Sequence, residues 1–479
     1  MTSIRLSLVS HTNVGKTTLA RTLLGRDIGE VRDAPHVTEF AEMHPLLQSP
    51  AGDVLELWDT PGFGDTVRLV GRLRREGSAL GWFLSEVWDR WRDRPFWATQ
   101  QALRHVRDTS DVVLYLVNAA ESPEAAGYVG PEMELLAWIG KPVVVLLNQL
   151  GPPRGPEAEA ADVERWRKRL AAQAPVRAVL PMDAFARCWV QEGVLLRTIA
   201  GVLDGEARAA ASRLAAAWAA TRRETFDAAV DELAASLARI ACARAPLPDG
   251  GWLSRRQDAD AARHALADML DREVRASTGR LLALHGLDGR AEREILDRVA
   301  AQVDLHARVG EGRAALVGGV LSGALAGLKA DLATGGLTLG GGMLAGGLLG
   351  ALGAAGIARG LNVVRGTDRG FASWSAEAMA PLAEAALLRY LAVAHFGRGR
   401  GEWAQGEAPP HWRAVVAEAL AARAPEIDAL WAARSTRADN AGDAESLARA
   451  LRTPLTAALR VSLERLYPGA WAAVDNPPP

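Results

Sequence analysis

Ser10-His11-Thr12-Asn13-Val14-Gly15-Lys16-Thr17 decides how the first part of this chain folds. The stretch follows a short apolar run, Ile4 to Val9, and opens a segment of helical character, Thr18–Leu24. Strand, loop and helix in that order form the context in which Gly-Lys-Thr binds phosphate. The backbone N–H groups between Ser10 and Thr18, with Asn13, Val14 and Gly15 among them, are the candidate phosphate cradle. Lys16 is placed to reach the β- and γ-phosphates of a nucleotide, and the Thr17 hydroxyl to hold Mg2+. Lysine occurs only at positions 16, 141, 168 and 329, while arginine supplies nearly all other basic charge. A compact ammonium therefore stands where a point charge on phosphate is wanted, a task for which arginine is not equivalent. Ser10 takes the place of the glycine with which the motif usually begins, a position where glycine is favoured for its backbone freedom.

A second signal follows at 54–62, Val-Leu-Glu-Leu-Trp-Asp-Thr-Pro-Gly. Val54 to Trp58 alternates like a strand and ends in Asp59-Thr60-Pro61-Gly62. Asp59 fits the acid that sits near the Mg2+ of a phosphate-loop enzyme. The Gly62 amide is expected near the γ-phosphate. Between the two motifs, Thr38 is the candidate for a second hydroxyl on the metal. Lys16, Thr38 and Asn13 are the candidate catalytic residues, and Thr17, Thr38 and Asp59 the candidate metal ligands.

Residues 1–200 resemble the Era/TrmE-like branch of small GTPases. Asn13-Val14-Gly15-Lys16-Thr17 is similar to the core of that branch's phosphate loop, and Asp59-Thr60-Pro61-Gly62 to its second switch. Asp111–Asn118 looks like its next core strand. Lys141-Pro142-Val143-Val144-Val145-Leu146-Leu147-Asn148 looks like the strand that delivers the base-recognition motif. The whole chain resembles a bacterial family in which a GTPase domain precedes a C-terminal domain of unknown function. The resemblance implies an α/β phosphate-loop domain with a mostly parallel sheet, and GTP and Mg2+ as ligands. It also implies slow hydrolysis stimulated by K+ near Asn13 or by a partner that completes the site.

The pattern departs from that branch at the base. Asn-Lys-x-Asp is replaced by Asn148-Gln149-Leu150-Gly151, so Asn148 remains while the carboxylate is gone. A site that rejects the wrong base through hydrogen bonds loses selectivity without them, so guanine preference over adenine is expected to weaken. Asp183, in Met182-Asp183-Ala184, is the candidate substitute acceptor. The residue after Gly62 is Phe63, which cannot orient a water by hydrogen bonding.

At 479 residues the chain exceeds one ordinary domain. A formal charge of −2 gives no global basic field, so nucleic acid is not expected as a partner. Two cysteines, Cys188 and Cys242, show neither metal spacing nor a disulfide framework and fit a reducing cytosol. Met-Thr-Ser-Ile-Arg leads straight into the first strand without a secretory signal, so a cytoplasmic location is expected.

The long insert from Phe63 to Thr109 carries Trp82, Trp88, Trp91 and Trp97 among charged residues. Two readings fit it: a helix packed on its own domain, or a docking surface linked to the second switch. Glu157–Ala171 reads as a surface helix. Beyond about residue 200 the sequence reads as all-α, so the expected division is 1–200 and 201–479. Ala207–Arg244, Asp258–His285, Ser375–His395, Trp412–Arg423 and Ser446–Leu466 have amphipathic helical pattern. Within this half, 314–360 is apolar and glycine-rich, with Gly319, Gly323, Gly327 and Gly342, Gly346, Gly350 spaced by four. Such spacing lets helices approach closely. It fits a hairpin inserted partly into the inner membrane and equally a buried pair inside the helical domain. The flanking Arg308, Arg313, Arg359, Arg365 and Arg369 suit lipid headgroups in the first reading and solvated helix ends in the second.

Three functions are compatible with these features: a GTP-hydrolysing switch that associates with membrane, a catalytically weak nucleotide-binding scaffold, and a ribosome- or RNA-associated GTPase. Partners beyond the guanine nucleotide remain open among membrane lipid, a second copy and a membrane protein.

Overall fold

The computed structural model describes residues 1–11, 14–24, 42–60, 62–63, 66–75, 94–150, 156–182, 188–247, 255–287, 361–364, 371–395, 411–434, 441–469 and 471–475. Thr38, Asn13, Asp183 and the 314–360 segment lie outside these residues, as do Trp82, Trp88 and Trp91. The chain forms two compact units. The first comprises Met1–Arg222, His395–Glu402 and Gly469–Pro479, and the second Arg223–Ala394 and Trp403–Pro468.

The first unit is built on a six-stranded sheet of order β2-β3-β1-β4-β5-β6. Its strands are β1 (Ser3–Ser10), β2 (Glu42–Gln48), β3 (Val54–Asp59), β4 (Val112–Asn118), β5 (Val143–Asn148) and β6 (Val176–Pro181). All neighbours pair in parallel except β2, which runs antiparallel to β3 at the edge. The pattern explains the placement. Val112–Val117 and Val143–Leu147 are apolar and buried, as interior parallel strands covered on both faces must be. β2 is largely exposed, and its pairing shifts register between Pro45 and Leu47. A proline without an N–H is tolerated at such an edge.

The helices of this unit are α1 (Lys16–Leu24), α2 (Thr66–Arg75), α3 (Arg94–Thr109), α4 (Val129–Ile139), α5 (Pro156–Leu170) and α6 (Trp189–Val202). Phe63, Leu69, Phe96, Leu103, Tyr115, Met133, Leu136 and Trp166 belong to one buried cluster that welds α2–α5 to the sheet. The 38-residue α7 (Gly205–Cys242) follows, and the boundary between the units falls within it. Asp53, in the β2–β3 turn, fastens that helix to the sheet. Buried at 1% exposure, it accepts hydrogen bonds from Arg213 Nε (2.7 Å), the Thr2 N–H (3.0 Å) and Ser49 Oγ (3.0 Å). Near the C-terminus, Trp471 packs edge-on against Trp189 at 5.3 Å between ring centres, with Val474 fully buried.

The second unit is helical, as the sequence pattern predicts. It contains the end of α7 with α8 (Arg255–Leu284), α9 (Ala376–Ala394), α10 (His411–Ala421), α11 (Ala424–Ala433) and α12 (Ala441–Leu466). Leu233, Leu270, Leu387, Tyr390, Leu451 and Leu459 lie in its core. Glu232 of α7 and Glu273 of α8 each receive both Arg239 and Arg280, pinning these two helices together at their rim. No strand signal marks this half of the chain, yet a three-stranded sheet forms in the order β7-β9-β8, from Ala245–Pro246, Phe371–Trp374 and Leu361–Val364. Among the described residues no helix is long and apolar enough to cross a membrane.

Candidate functional site

In parallel α/β sheets the carboxyl ends of the strands, where chain direction allows loops to converge, form the ligand crevice. Here Ser10, Asp59, Asn118 and Asn148 all end strands on that side. Lys16 and Thr17, in the first turn of α1, converge on Asp59 at the end of β3. Lys16 Nζ donates to Asp59 Oδ1 at 2.9 Å, and Thr17 Oγ1 to Asp59 Oδ2 at 2.8 Å. Lys16 and Asp59 are 8% and 3% exposed. A buried ion pair of this kind needs both charges satisfied, and the Thr17 hydroxyl supplies the third member. Next to Asp59, Thr60 is fully buried and donates to the Leu8 carbonyl at 2.6 Å, locking the end of β3 to β1.

The loop itself is held from the far side. Gly15 has φ +85°, a left-handed conformation open to glycine at little cost. A Cβ there would lie 2.8 Å from Asn148 Nδ2. That same amide donates to the Val14 carbonyl at 2.8 Å, so Asn148 braces the phosphate loop from the end of β5. Gln149 follows with φ +56°, the one non-glycine residue with positive φ among the described residues. Ser10, where glycine was the expected residue, is the last residue of β1. Its hydroxyl donates to the His11 carbonyl at 2.7 Å, and no left-handed backbone is needed there. Gly62 precedes Phe63, whose N–H donates to the Ser10 carbonyl at 2.9 Å while its ring is buried in the core. Thr18 lies buried in α1 behind the loop.

A set of contacts that the sequence reading did not single out begins at His11 in this loop and centres on Glu132. Glu132 of α4 is fully buried. Its Oε1 accepts from His11 Nδ1 at 2.8 Å and from Thr66 Oγ1 at 3.3 Å, and its Oε2 from the Tyr115 hydroxyl at 2.6 Å. The His11 ring stacks on Tyr128 at 4.5 Å. The hydrogen bond to Glu132 raises the His11 pKa above its ordinary 6.5 against the opposing effect of burial, with the charges of Glu132 and Glu121 adding to the rise. Burial, reinforced by Glu132, pushes the Tyr115 phenol well above its usual range. Burial and Glu121 bring Tyr128 to about 12. The sequence signal is an acid on the apolar face of α4, one helical turn after Val129 and one before Leu136.

Among the described residues no group of three or more His, Cys, Asp or Glu side chains could hold a metal ion. One carboxylate and one hydroxyl, Asp59 and Thr17, are nevertheless the hard oxygen donors that Mg2+ takes when phosphates and water complete its shell.

Fold and site together define a phosphate-loop GTPase domain. Residues 5–149 match the model of the family described as 50S ribosome-binding GTPase. Residues 167–453, more than half of the chain, match a domain of unknown function, DUF3482. The chain belongs to the DUF3482 family and carries its GTPase domain at the N-terminal side. Among solved structures it is similar to an Era variant from Aquifex aeolicus bound to GDP and AlF4−, with 19% identity and a TM-score of 0.29 over 43% of this chain and 58% of that one. It is also similar to Era in complex with MgGDPNP and a segment of 16S ribosomal RNA, with 16% identity and a TM-score of 0.28 over 43% of this chain and 68% of that one. The chain thus spans less than two thirds of the first of these. No curated protein matches it.

Proposed function

We propose that this protein is a Mg2+-dependent GTP-binding and GTP-hydrolysing switch. The observation that carries the proposal is the meeting of Lys16 and Thr17 on the two oxygens of buried Asp59 at the strand ends, inside a region that matches a GTPase family. Lys16 would meet the β- and γ-phosphates, and Thr17 and Asp59 would hold Mg2+, which supplies charge neutralisation on the transferring phosphoryl group. Asn148 supports the loop through the Val14 carbonyl and would meet the base edge. Gly62 adjoins the γ-phosphate in this reading. Thr38, Asn13 and Asp183 enter on sequence alone, as a second metal hydroxyl, a K+ ligand and a base acceptor. With Phe63 packed in the core, no side chain at that position aligns a water, so basal hydrolysis is slow and K+ or a partner accelerates it by a factor on the order of 10³ or more.

Equilibrium binding of a fluorescent GTP analogue to the full chain tests the assignment. Micromolar or tighter binding that needs Mg2+ and is lost in Lys16→Ala supports it, and binding untouched by that substitution contradicts it.

Two further elements of the proposal rest on single observations. The spacing of glycines in 314–360 supports membrane association, which flotation with anionic vesicles tests. The family description at residues 5–149 favours a ribosomal role as the second reading, against which the formal charge of −2 weighs. Co-sedimentation with ribosomes at moderate salt separates the two.

A further inference from the structure

Glu132 joins three parts of the first unit that the chain keeps far apart in sequence. Tyr115, from the centre of β4, fixes one carboxylate oxygen to the floor of the sheet. The other oxygen is shared by His11, which follows β1 at the start of the phosphate loop, and by Thr66, the first residue of α2. The backbone joins the same two segments a second time through the parallel bridge of His11 with Phe63 and the Phe63 N–H donated to Ser10. Glu132 sits in the first turn of α4, where the helix dipole favours a carboxylate, and α4 lies against α2. A fully buried carboxylate is costly unless donors surround it, so these three donors are also what keeps it in place.

We propose that Glu132 is a positioning residue that sets the phosphate loop and the start of α2 in one register, with His11 and Thr66 as its two points of attachment. The inference rests on the nucleotide-site reading for its functional meaning, since these are the two segments that flank the phosphates in that reading. His11 is partly exposed while Glu132 is fully buried, so the loop end of this link can be changed without opening the core.

The test uses the nucleotide-free full chain and compares wild type with His11→Gln and Glu132→Gln. Hydrogen exchange is followed in α1, α2 and β5 at a single pH, corrected for intrinsic rates. The expected result is exchange in the second turn of α2 that is faster by ~10-fold or more in both variants, with β5 unchanged, because a hydrogen bond to the buried carboxylate is lost. The ring N–H resonance of His11, shifted downfield by its bond to Glu132 in wild type, moves upfield in Glu132→Gln. Unchanged α2 exchange in His11→Gln overturns the proposal, as does a uniform rise across α1, α2 and β5, which marks general destabilisation. His11→Gln keeps the test valid if Glu132→Gln does not fold, because His11 is partly exposed. Binding of the fluorescent GTP analogue is measured alongside. Failure of wild type to bind refutes the functional reading and leaves the exchange result to decide the coupling. Binding without coupling refutes this inference alone.

Discussion

Gly15→Ala isolates the contact that shapes the phosphate loop. The native φ of +85° places any L side chain in the left-handed region, at about 1–2 kcal/mol. The added Cβ falls 2.8 Å from Asn148 Nδ2, so Asn148 must turn away from the Val14 carbonyl. Asn148 is fully buried, and stranding its amide costs a further ~1–3 kcal/mol. The sum is a destabilisation of roughly 2–5 kcal/mol, read as the opening free energy of β4 amides by native-state hydrogen exchange. In an Asn148→Ala background the clash partner and its bond are gone, and only the backbone share of about 1–2 kcal/mol remains. Equal costs for Gly15→Ala in the two backgrounds would refute the reasoning, because the contact with Asn148 would then contribute nothing.

The remaining predictions concern polar groups whose partners are known. The Arg213 hydrogen bond, with help from Ser49 and the Thr2 N–H, holds the Asp53 carboxyl well below its usual 3.8. A depressed folded value gives stability that is present above the unfolded pKa and lost as pH falls through the folded one. Acid unfolding of the first unit below about pH 4, followed by circular dichroism, is therefore expected to lose much of its pH dependence in Asp53→Asn. His11 has the opposite sign. Its raised value gives stability fully present below 6.5 and lost as pH rises through the folded pKa, so His11→Gln flattens that alkaline limb in thermal unfolding. Thr60→Val keeps the side-chain shape but removes the 2.6 Å bond to the Leu8 carbonyl, and is expected to cost about 0.5–1.5 kcal/mol in urea denaturation.

The parts of the fold visible in the sequence are those written locally. Ile4–Val9 before Ser10–Thr17, and the uninterrupted apolar runs at 112–117 and 143–147, announce a strand, a loop and two interior parallel strands. Lys16, Thr17 and Asp59 belong to short motifs, and the structure brings them together at hydrogen-bonding distance. What escaped depends on pairing across long separations. β2 carries Pro45 and an exposed face, so neither alternation nor propensity marks it, and it exists because β3 offers an edge. β7, β8 and β9 are two to four residues long and draw on chain positions 245 and 374. Glu132 shares the apolar face of α4, but nothing local in the sequence shows that Tyr115, His11 and Thr66 surround it. The ending of the first unit was hidden for the same reason, since Trp471 meets Trp189 only in space. The division expected at 200 lies near the end of α6, and the first compact unit runs on to Arg222, inside α7.

Steady-state hydrolysis of GTP and of ATP by the full chain with Mg2+, in K+ and in Na+, beside Lys16→Ala, tests the central claim most directly. The account predicts slow GTP turnover that rises in K+ and disappears in Lys16→Ala, with weakened discrimination against ATP because Gly151 lacks a carboxylate. Turnover that persists unchanged in Lys16→Ala, or no hydrolysis and no binding of either nucleotide in both salts, would contradict it.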